Sequence, residues 1–216
     1  MLIHTFSEYG RVRITIHEIN GTIDLDKTLK IHNYHLIMLE SGSISVDLNF
    51  NLLTMTAHST LHISSGDTIR SIQPSGIVKG YHFIFSSEFQ NEMRTVRKSP
   101  INLQLKRQFP FQTFTSDEYS NLNDSVRKII RYIEIPSHHF RSTVIKNEIM
   151  NLLLDISDKR RNDHQIIPDH DIKDHNESIR KRFRNLINGY SSEHHQVSWY
   201  AEALKISPDY LSKIVR

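Results

Sequence analysis

The chain has 216 residues, of which 38% are hydrophobic and none is cysteine, and its formal net charge is +3. A chain of this size holds one domain of ordinary size and a smaller second one, and without cysteine it forms no disulfide, which fits a reducing cytoplasm. It contains neither an apolar run long enough to span a membrane, about 20 residues, nor an N-terminal signal peptide, so we expect a cytoplasmic protein.

Residues 1–98 have the pattern of a small β domain. Apolar and polar residues alternate through 42–52, which predicts one half-buried strand with these inward residues: Ile44, Val46, Leu48, Phe50 and Leu52. Further strands are expected at 11–17 and 81–85, and a strand–turn–strand unit at 61–69. Many short strands, with no helical stretch until about residue 88, predict a sandwich or a small barrel.

Residues 99–161 are predicted to be mainly helical. We expect a helix with Ser116 as its N-cap, because a serine oxygen can accept from the free amides of the first turn. Pro136 should end that helix. Two apolar stripes have helical spacing: Leu122, Val126, Ile129, Ile130 and Ile133, then Ile145, Ile149, Leu152, Leu153 and Ile156. The simplest interpretation is that both stripes pack on the β domain.

The segment 162–175 is polar and without periodicity, which predicts a linker. A helix is expected to follow from Asn176, with Ile179, Phe183, Leu186 and Ile187 on one face. Residues 176–216 carry 7 basic and 4 acidic side chains, whereas the two signs balance in residues 1–175. The excess positive charge is therefore confined to the C-terminal segment, as is typical of a nucleic-acid-binding module.

The last twenty residues predict two short helices joined by a tight turn. Ser198 is expected to cap the first helix and Ser207 the second, with Pro208 at its first position. The apolar set lies on facing sides of the two helices, with Ile206 in the turn between them: Ala201, Leu204, Ile206, Leu211 and Ile214. The second helix then presents an outward polar and cationic face made of Asp209, Ser212, Lys213 and Arg216.

The run from Trp199 to Ile214 resembles the first helix-turn-helix of the AraC-type transcription regulators, whose signature there is Ala…Leu…Ser-Pro-x-Tyr-Leu-Ser. Weaker matches, at 35–43, at the Ser65-Gly66-Asp67 turn and at 83–89, are similar to the cupin-like sensor domain of that family. One departure is Lys205, because many helix-turn-helix motifs have glycine at this turn, where φ is often positive.

The resemblance implies an α+β architecture in four parts. These are a cupin-like β-barrel or sandwich at 1–98, a helical dimerisation segment at 99–161, a linker at 162–175 and a partial, all-α DNA-binding domain at 176–216. One of the two apolar stripes would then lie in a homodimer. The family has two helix-turn-helix units and this sequence contains the first, so we expect weak DNA binding unless dimerisation adds avidity.

The predicted function is that of a sequence-specific DNA-binding transcription regulator, controlled by a small effector or a partner at the N-terminal barrel. The predicted base contacts are Asp209, Ser212 and Lys213, the lysine donating to guanine O6 and N7. Phosphate contacts are assigned to the remaining cations of the segment: Arg180, Lys181, Arg182, Arg184 and Arg216.

Two alternatives stay open: a metal-dependent cupin enzyme, such as an isomerase or dioxygenase, and a ligand-binding or dimerisation module that does not touch DNA. His32, His35 and Glu40 lie where metal-dependent cupins place their ligands. However, residues three apart on a strand point to opposite faces, so we expect no metal site. The sequence contains no phosphate-binding loop, nucleophile elbow or zinc-protease motif. We therefore expect no catalytic residue and no cofactor, and the chain is predicted not to be an enzyme.

Overall fold

The computed structural model describes residues 2–21, 29–96, 109–163, 179, 182–183, 186–187, 190–191 and 193–215, without the side chains of 94–96, 213 and 214. In this part of the chain the strands are β1 (Ile3–Glu8), β2 (Arg11–Gly21), β3 (Leu29–Lys30), β4 (Tyr34–Leu48), β5 (Asn51–Met55), β6 (Ser59–Ile63), β7 (Thr68–Phe85) and β8 (Phe111–Thr113). The helices are α1 (Ser87–Val96), α2 (Ser116–Glu134), α3 (Arg141–Asp163), α4 (Val197–Leu204) and α5 (Pro208–Val215).

The chain divides into two compact units, Met1–Ile166 and Ile167–Arg216. The strands form one antiparallel sheet in the first unit. The strand order is β1-β2-β7-β4-β6-β8, with β3 pairing with β7 and β5 pairing with β4. The long strands β4 and β7 pair along most of their length, with register shifts between Leu39 and Ser43. Gly80 allows them to approach, because a Cβ at this position would lie 2.0 Å from the carbonyl oxygen of Met38.

The two faces of the sheet carry separate hydrophobic cores, as the alternation of side chains along a strand requires. On the helix-covered face, strand residues such as Leu36 and Phe83 pack with α1, α2 and α3. On the second face, strand residues such as Ile37 and Val46 pack with one another and with β5 and β6. The α+β class and the strand-rich N-terminal half are therefore confirmed.

The prediction of one strand through 42–52 is wrong at its C-terminal end. The chain turns at Asn49 and Phe50, both with positive φ, and β5 then returns alongside β4. Phe50 is 80% exposed and Leu52 is 73% exposed, so neither belongs to the buried face. The guanidinium of Arg70 covers the Phe50 ring at 5.2 Å, which shields part of it from water.

The N-cap of α2 is Thr115 and not Ser116 as predicted. The Thr115 hydroxyl accepts from the Glu118 amide at 3.3 Å, and the Glu118 carboxylate accepts from the Thr115 amide at 2.8 Å. This reciprocal pair is a capping box. The helix ends at Glu134, before Pro136 as predicted.

Both predicted apolar stripes lie within the helix-covered core. In α2 the residues Leu122, Val126 and Ile129 are at most 3% exposed, and in α3 Ile145 and Ile149 are fully buried. The interpretation that both stripes pack on the β domain is thus correct. It leaves neither stripe for a second copy, so a dimer would have to use other residues than those predicted. Helix α3 also continues through 162 and 163, the first two residues of the predicted linker, whereas 164–175 lie outside the described residues.

The C-terminal unit has its own small core, and no member of this core belongs to either sheet core. It comprises Ile179, Tyr200, Ala201, Leu204 and Leu211, with Phe183, Leu186, Ile187, Trp199 and Ile206 packed against them. The predicted apolar positions Ile179, Phe183, Leu186 and Ile187 thus pack with residues of α4 and α5. Across the described residues of both units, no helix is long and apolar enough to cross a membrane.

Candidate functional site

Helices α4 and α5 are joined by a turn centred on Lys205. This residue has φ 58° and ψ 44°, the left-handed region in which side chains other than glycine are uncommon. The Lys205 amide donates to the Glu202 carbonyl at 2.9 Å, and the Ile206 amide donates to the Ala201 carbonyl at 3.0 Å. These two bonds close the end of α4 in the manner of a Schellman motif. Lys205 thus adopts the left-handed conformation that glycine takes at this turn in many helix-turn-helix motifs.

The caps of the two helices differ from each other. Ser207 caps α5 as predicted, its hydroxyl accepting from the Tyr210 amide at 3.2 Å, and Pro208 is the first helical residue. Helix α4 begins at Val197 after Gln196, whose side chain makes no capping hydrogen bond, so the prediction that Ser198 is its cap is wrong.

Helix α5 buries one side and exposes the other. Leu211 is fully buried against α4 and the preceding helical residues, whereas Asp209, Tyr210 and Ser212 are exposed. Two of the three predicted base contacts, Asp209 and Ser212, therefore lie on the outer side of this helix. The backbone of Lys213 continues the helix, but its side chain lies outside the described residues.

Among the predicted phosphate contacts, Arg182 is helical and exposed. The other four residues assigned to this role lie outside the described residues: Arg180, Lys181, Arg184 and Arg216. The contacts to DNA assigned to these residues remain predictions.

An aromatic cluster supports the start of α4. The rings of His194 and Trp199 are stacked with their centroids 3.9 Å apart, and the Tyr190 ring lies 5.5 Å from Trp199. The Tyr200 hydroxyl donates to the His194 carbonyl at 2.7 Å, and the Phe183 ring meets Tyr200 edge-on. The segment that enters α4 is thus fixed to the helical core beneath it.

Three histidines form a second candidate site, on the second face of the sheet. His17 of β2 pairs in register with His82 of β7, and their rings are stacked with centroids 5.8 Å apart. His35 of β4 lies diagonally beside His82, and its Nδ1 is 2.8 Å from His82 Nε2. All three rings are half-buried. Sequence patterns do not group these three histidines, because 18 and 47 residues separate them along the chain and only the strand register brings them together.

The surroundings of this cluster disfavour positive charge. Burial, together with repulsion from His17, lowers the pKa of His35 to about 4. Burial, followed by repulsion from His35 and His17, lowers the pKa of His82 to about 3. Both rings are therefore neutral near pH 7, and one of them donates its N–H to the other.

The other candidate ligands do not join this cluster. His32 is exposed and precedes β4, and Glu40 acts on Tyr81, where burial and then Glu18 and Glu40 raise the pKa of the phenol. His62 is 1% exposed and is hydrogen-bonded to the Tyr34 hydroxyl in the helix-covered core. Among the described residues, no group of three or more histidine or carboxylate side chains is arranged to hold a metal ion.

The fold as a whole is that of an α+β protein with an antiparallel sheet, a helical layer on one face and a separate helical unit. No family model matches the chain, and no curated protein matches it. Solved structures do match over almost its whole length, and several of them are of ToxT from Vibrio cholerae, an AraC-family regulator with a cupin-like N-terminal domain.

The individual matches are consistent with one another. Wild-type ToxT bound to an unsaturated fatty acid has a TM-score of 0.52 and 13% identity, covering 94% of this chain and 72% of that chain. A further ToxT structure has a TM-score of 0.50 and 10% identity, covering 94% of this chain and 74% of that chain. ToxT from Vibrio cholerae O395 bound to (E)-4-(8-methylnaphthalen-1-yl)but-3-enoic acid has a TM-score of 0.50 and 11% identity. This match covers 93% of this chain and 75% of that chain. At these identities the likeness shows a shared fold.

Proposed function

We propose that this chain is a sequence-specific DNA-binding transcription regulator of the AraC type, controlled by a small effector bound at its N-terminal sheet. The observation that carries the proposal is the build of α4 and α5. Their apolar sides close on one core, the turn between them is fixed by the Lys205 geometry, and α5 exposes the polar side chains of Asp209 and Ser212 beside Tyr210. A short helix held in this way is suited to entering the major groove.

The proposed roles follow from this geometry. Asp209 and Ser212 are exposed on successive turns of α5, and Lys213 follows Ser212. The hydroxyl and the ammonium group would reach base edges, and Asp209 would accept from cytosine or exclude other bases. Arg182, exposed on the preceding helical segment, would contact phosphate, as would the cations predicted beside it.

The likeness to ToxT supports the same proposal at the level of fold, since the matched region spans both units of this chain. Two of the ToxT structures hold carboxylic acids, a fatty acid and a substituted butenoic acid. By extension we propose a small carboxylic acid as the effector of this chain. We propose a homodimer as well, and no catalytic activity.

The test is selection of DNA from a random pool, followed by affinity measurements on the selected site from about 50 to 200 mM salt. Neutralising phosphates releases counterions, so the affinity should fall steeply and log-linearly with salt. Lys213→Ala should cost ~1–3 kcal/mol and relax the preference at one base pair. Lys30→Ala, which removes an equal charge from an exposed position on β3, should leave affinity and preference unchanged.

Two results would count against the proposal. A pool that yields no enriched sequence and no salt-dependent binding would leave a ligand-binding module that does not touch DNA. Equal losses for Lys213→Ala and Lys30→Ala on all sequences would mean that α5 does not read bases.

A further inference from the structure

The three histidines of the second sheet face have no evident structural need for their polarity. Their neighbours on this face are aliphatic: Ile19 and Ile37 are 5% and 4% exposed, and Leu61 and Ile63 on β6 are fully buried. Imidazole is a poor filler for such a face, since its nitrogens must be hydrogen-bonded or hydrated. Here the three residues are partly buried and keep some contact with solvent, so that a small molecule can reach the cluster.

The hydrogen bond between His35 and His82 uses one nitrogen of each ring and leaves the other nitrogen of each ring for a ligand. His35 Nδ1 and His82 Nε2 satisfy each other at 2.8 Å. In a neutral pair the remaining two ring nitrogens are one N–H donor and one bare acceptor. One added proton converts that acceptor into a second donor, and two donors match the two oxygens of a carboxylate.

No acidic side chain compensates for this proton in the described residues. The groups that alter the pKa of His35 and His82 are imidazoles, beyond burial itself. The strand β2 contributes His17, β4 contributes His35 and β7 contributes His82, while β6 presents apolar side chains to the same face. The carboxylates of Glu18 and Glu40 act instead on Tyr81. An anion that enters this face would therefore supply the counter-charge for the added proton.

We infer that His17, His35 and His82 bind the carboxylate of the effector and that binding takes up a proton, an inference that rests on the effector proposed above. The carboxylate replaces the missing counter-ion, and the aliphatic neighbours contact the apolar part of the ligand. The regulator would in this way respond to acidity and to the effector together, because each favours the other.

The test uses the full chain with octanoate as the probe and octanol as its uncharged match. Calorimetry at about pH 5.5 and about pH 7.5, in two buffers of different ionisation heat, gives both the affinity and the number of protons taken up. Octanoate should bind more tightly at the lower pH, by up to about tenfold per pH unit for one proton. Octanol should show neither proton uptake nor pH dependence. Acetate and citrate buffers are avoided, since they are carboxylates themselves.

The test variant carries both His35→Gln and His82→Gln. The control is His32→Gln, which alters an exposed histidine outside the cluster. The double variant should lose proton uptake, and His32→Gln should keep it. If the double variant does not fold, nitrogen spectra of the wild-type imidazoles report protonation directly when octanoate is added. Octanoate binding without proton uptake, unchanged imidazole spectra, or no binding at either pH would overturn the inference. Because DNA binding is measured separately on the same chain, its failure would refute the proposed regulator and not this site.

Discussion

Lys205 is a lysine in a conformation that suits glycine, with φ 58° between α4 and α5. The left-handed region costs a residue with a Cβ about 1–2 kcal/mol, and glycine escapes this cost but loses more backbone entropy on folding. We therefore expect Lys205→Gly to stabilise the C-terminal unit by about 0.5–1 kcal/mol. Urea unfolding followed by the fluorescence of Trp199, the only tryptophan of the chain, measures this unit.

Lys205→Ala is the control for that substitution. It removes the same charge but retains the Cβ, and should therefore give no gain. If alanine and glycine stabilise equally, the cause would be the lysine charge and not the backbone conformation.

The histidine pair gives the sheet unit a particular response to acid. The folded pKa values of His35 and His82, about 4 and about 3, lie below the ordinary value of 6.5. At pH values between the folded pKa and 6.5, these histidines bind more protons in the unfolded chain than in the folded chain. The free energy of unfolding therefore falls as the pH decreases below about 6.5. Each histidine adds a slope of up to about 1.4 kcal/mol per pH unit.

We therefore expect the double variant His35→Gln with His82→Gln to lose less stability than the wild type between about pH 6.5 and pH 5. Urea unfolding followed by circular dichroism at several pH values measures the slope, and His32→Gln should keep the wild-type slope. A double variant as acid-sensitive as the wild type would show that other groups dominate in this range.

At the scale of single elements, α2 depends on its first turn. The capping box of Thr115 and Glu118 satisfies amides that would otherwise have no partner, and the Glu118 carboxylate also meets Lys159 of α3 at 3.0 Å. Thr115→Ala should cost about 1 kcal/mol of stability. Ser116→Ala, one residue further on, should cost much less in the same urea titration. Equal losses at both positions would show that the cap assigned by the geometry is not the effective one.

Local patterns predicted most of the elements. Alternation indicated β2 and the C-terminal half of β4, and helical periodicity indicated α2 and α3, because burial on one face leaves its period in the sequence. The pattern failed at Phe50, since its apolar residues continue across a turn whose Asn49-Phe50 pair lacks the glycine that usually marks a hairpin. The cap was misplaced by one residue, because Thr115 and Ser116 are both suitable side chains.

The histidine site could not be predicted from local patterns. Its three members come from β2, β4 and β7, and they meet only because β7 lies between the other two strands in the sheet. Strand order is a property of the whole sheet, and no single strand encodes it. The α4–α5 pair, in contrast, lies within twenty residues, so its turn, its Ser207 cap and the burial of Leu211 were all visible in the sequence.

At the scale of the whole molecule, the cores are separated along the chain. Among the described residues, the two sheet cores extend to Ile156 and the third core begins at Ile179. Cores that share no residue can lose stability independently, so a single two-state free energy should not describe this chain. Trp199 fluorescence then reports the C-terminal unit, and circular dichroism at the wavelength of β structure reports mainly the sheet unit.

Two matched substitutions test this independence, because Leu211 and Leu61 are both fully buried leucines in different cores. Each change to alanine should cost ~2–5 kcal/mol, from lost transfer energy and the cavity left behind. Leu211→Ala should shift only the Trp199 transition and abolish DNA binding while octanoate binding persists. Leu61→Ala should shift only the circular dichroism transition. If either variant moves both transitions by the same amount, the units fold as one, and an effector at the sheet would then act on α5 through shared stability rather than through a separate conformational step.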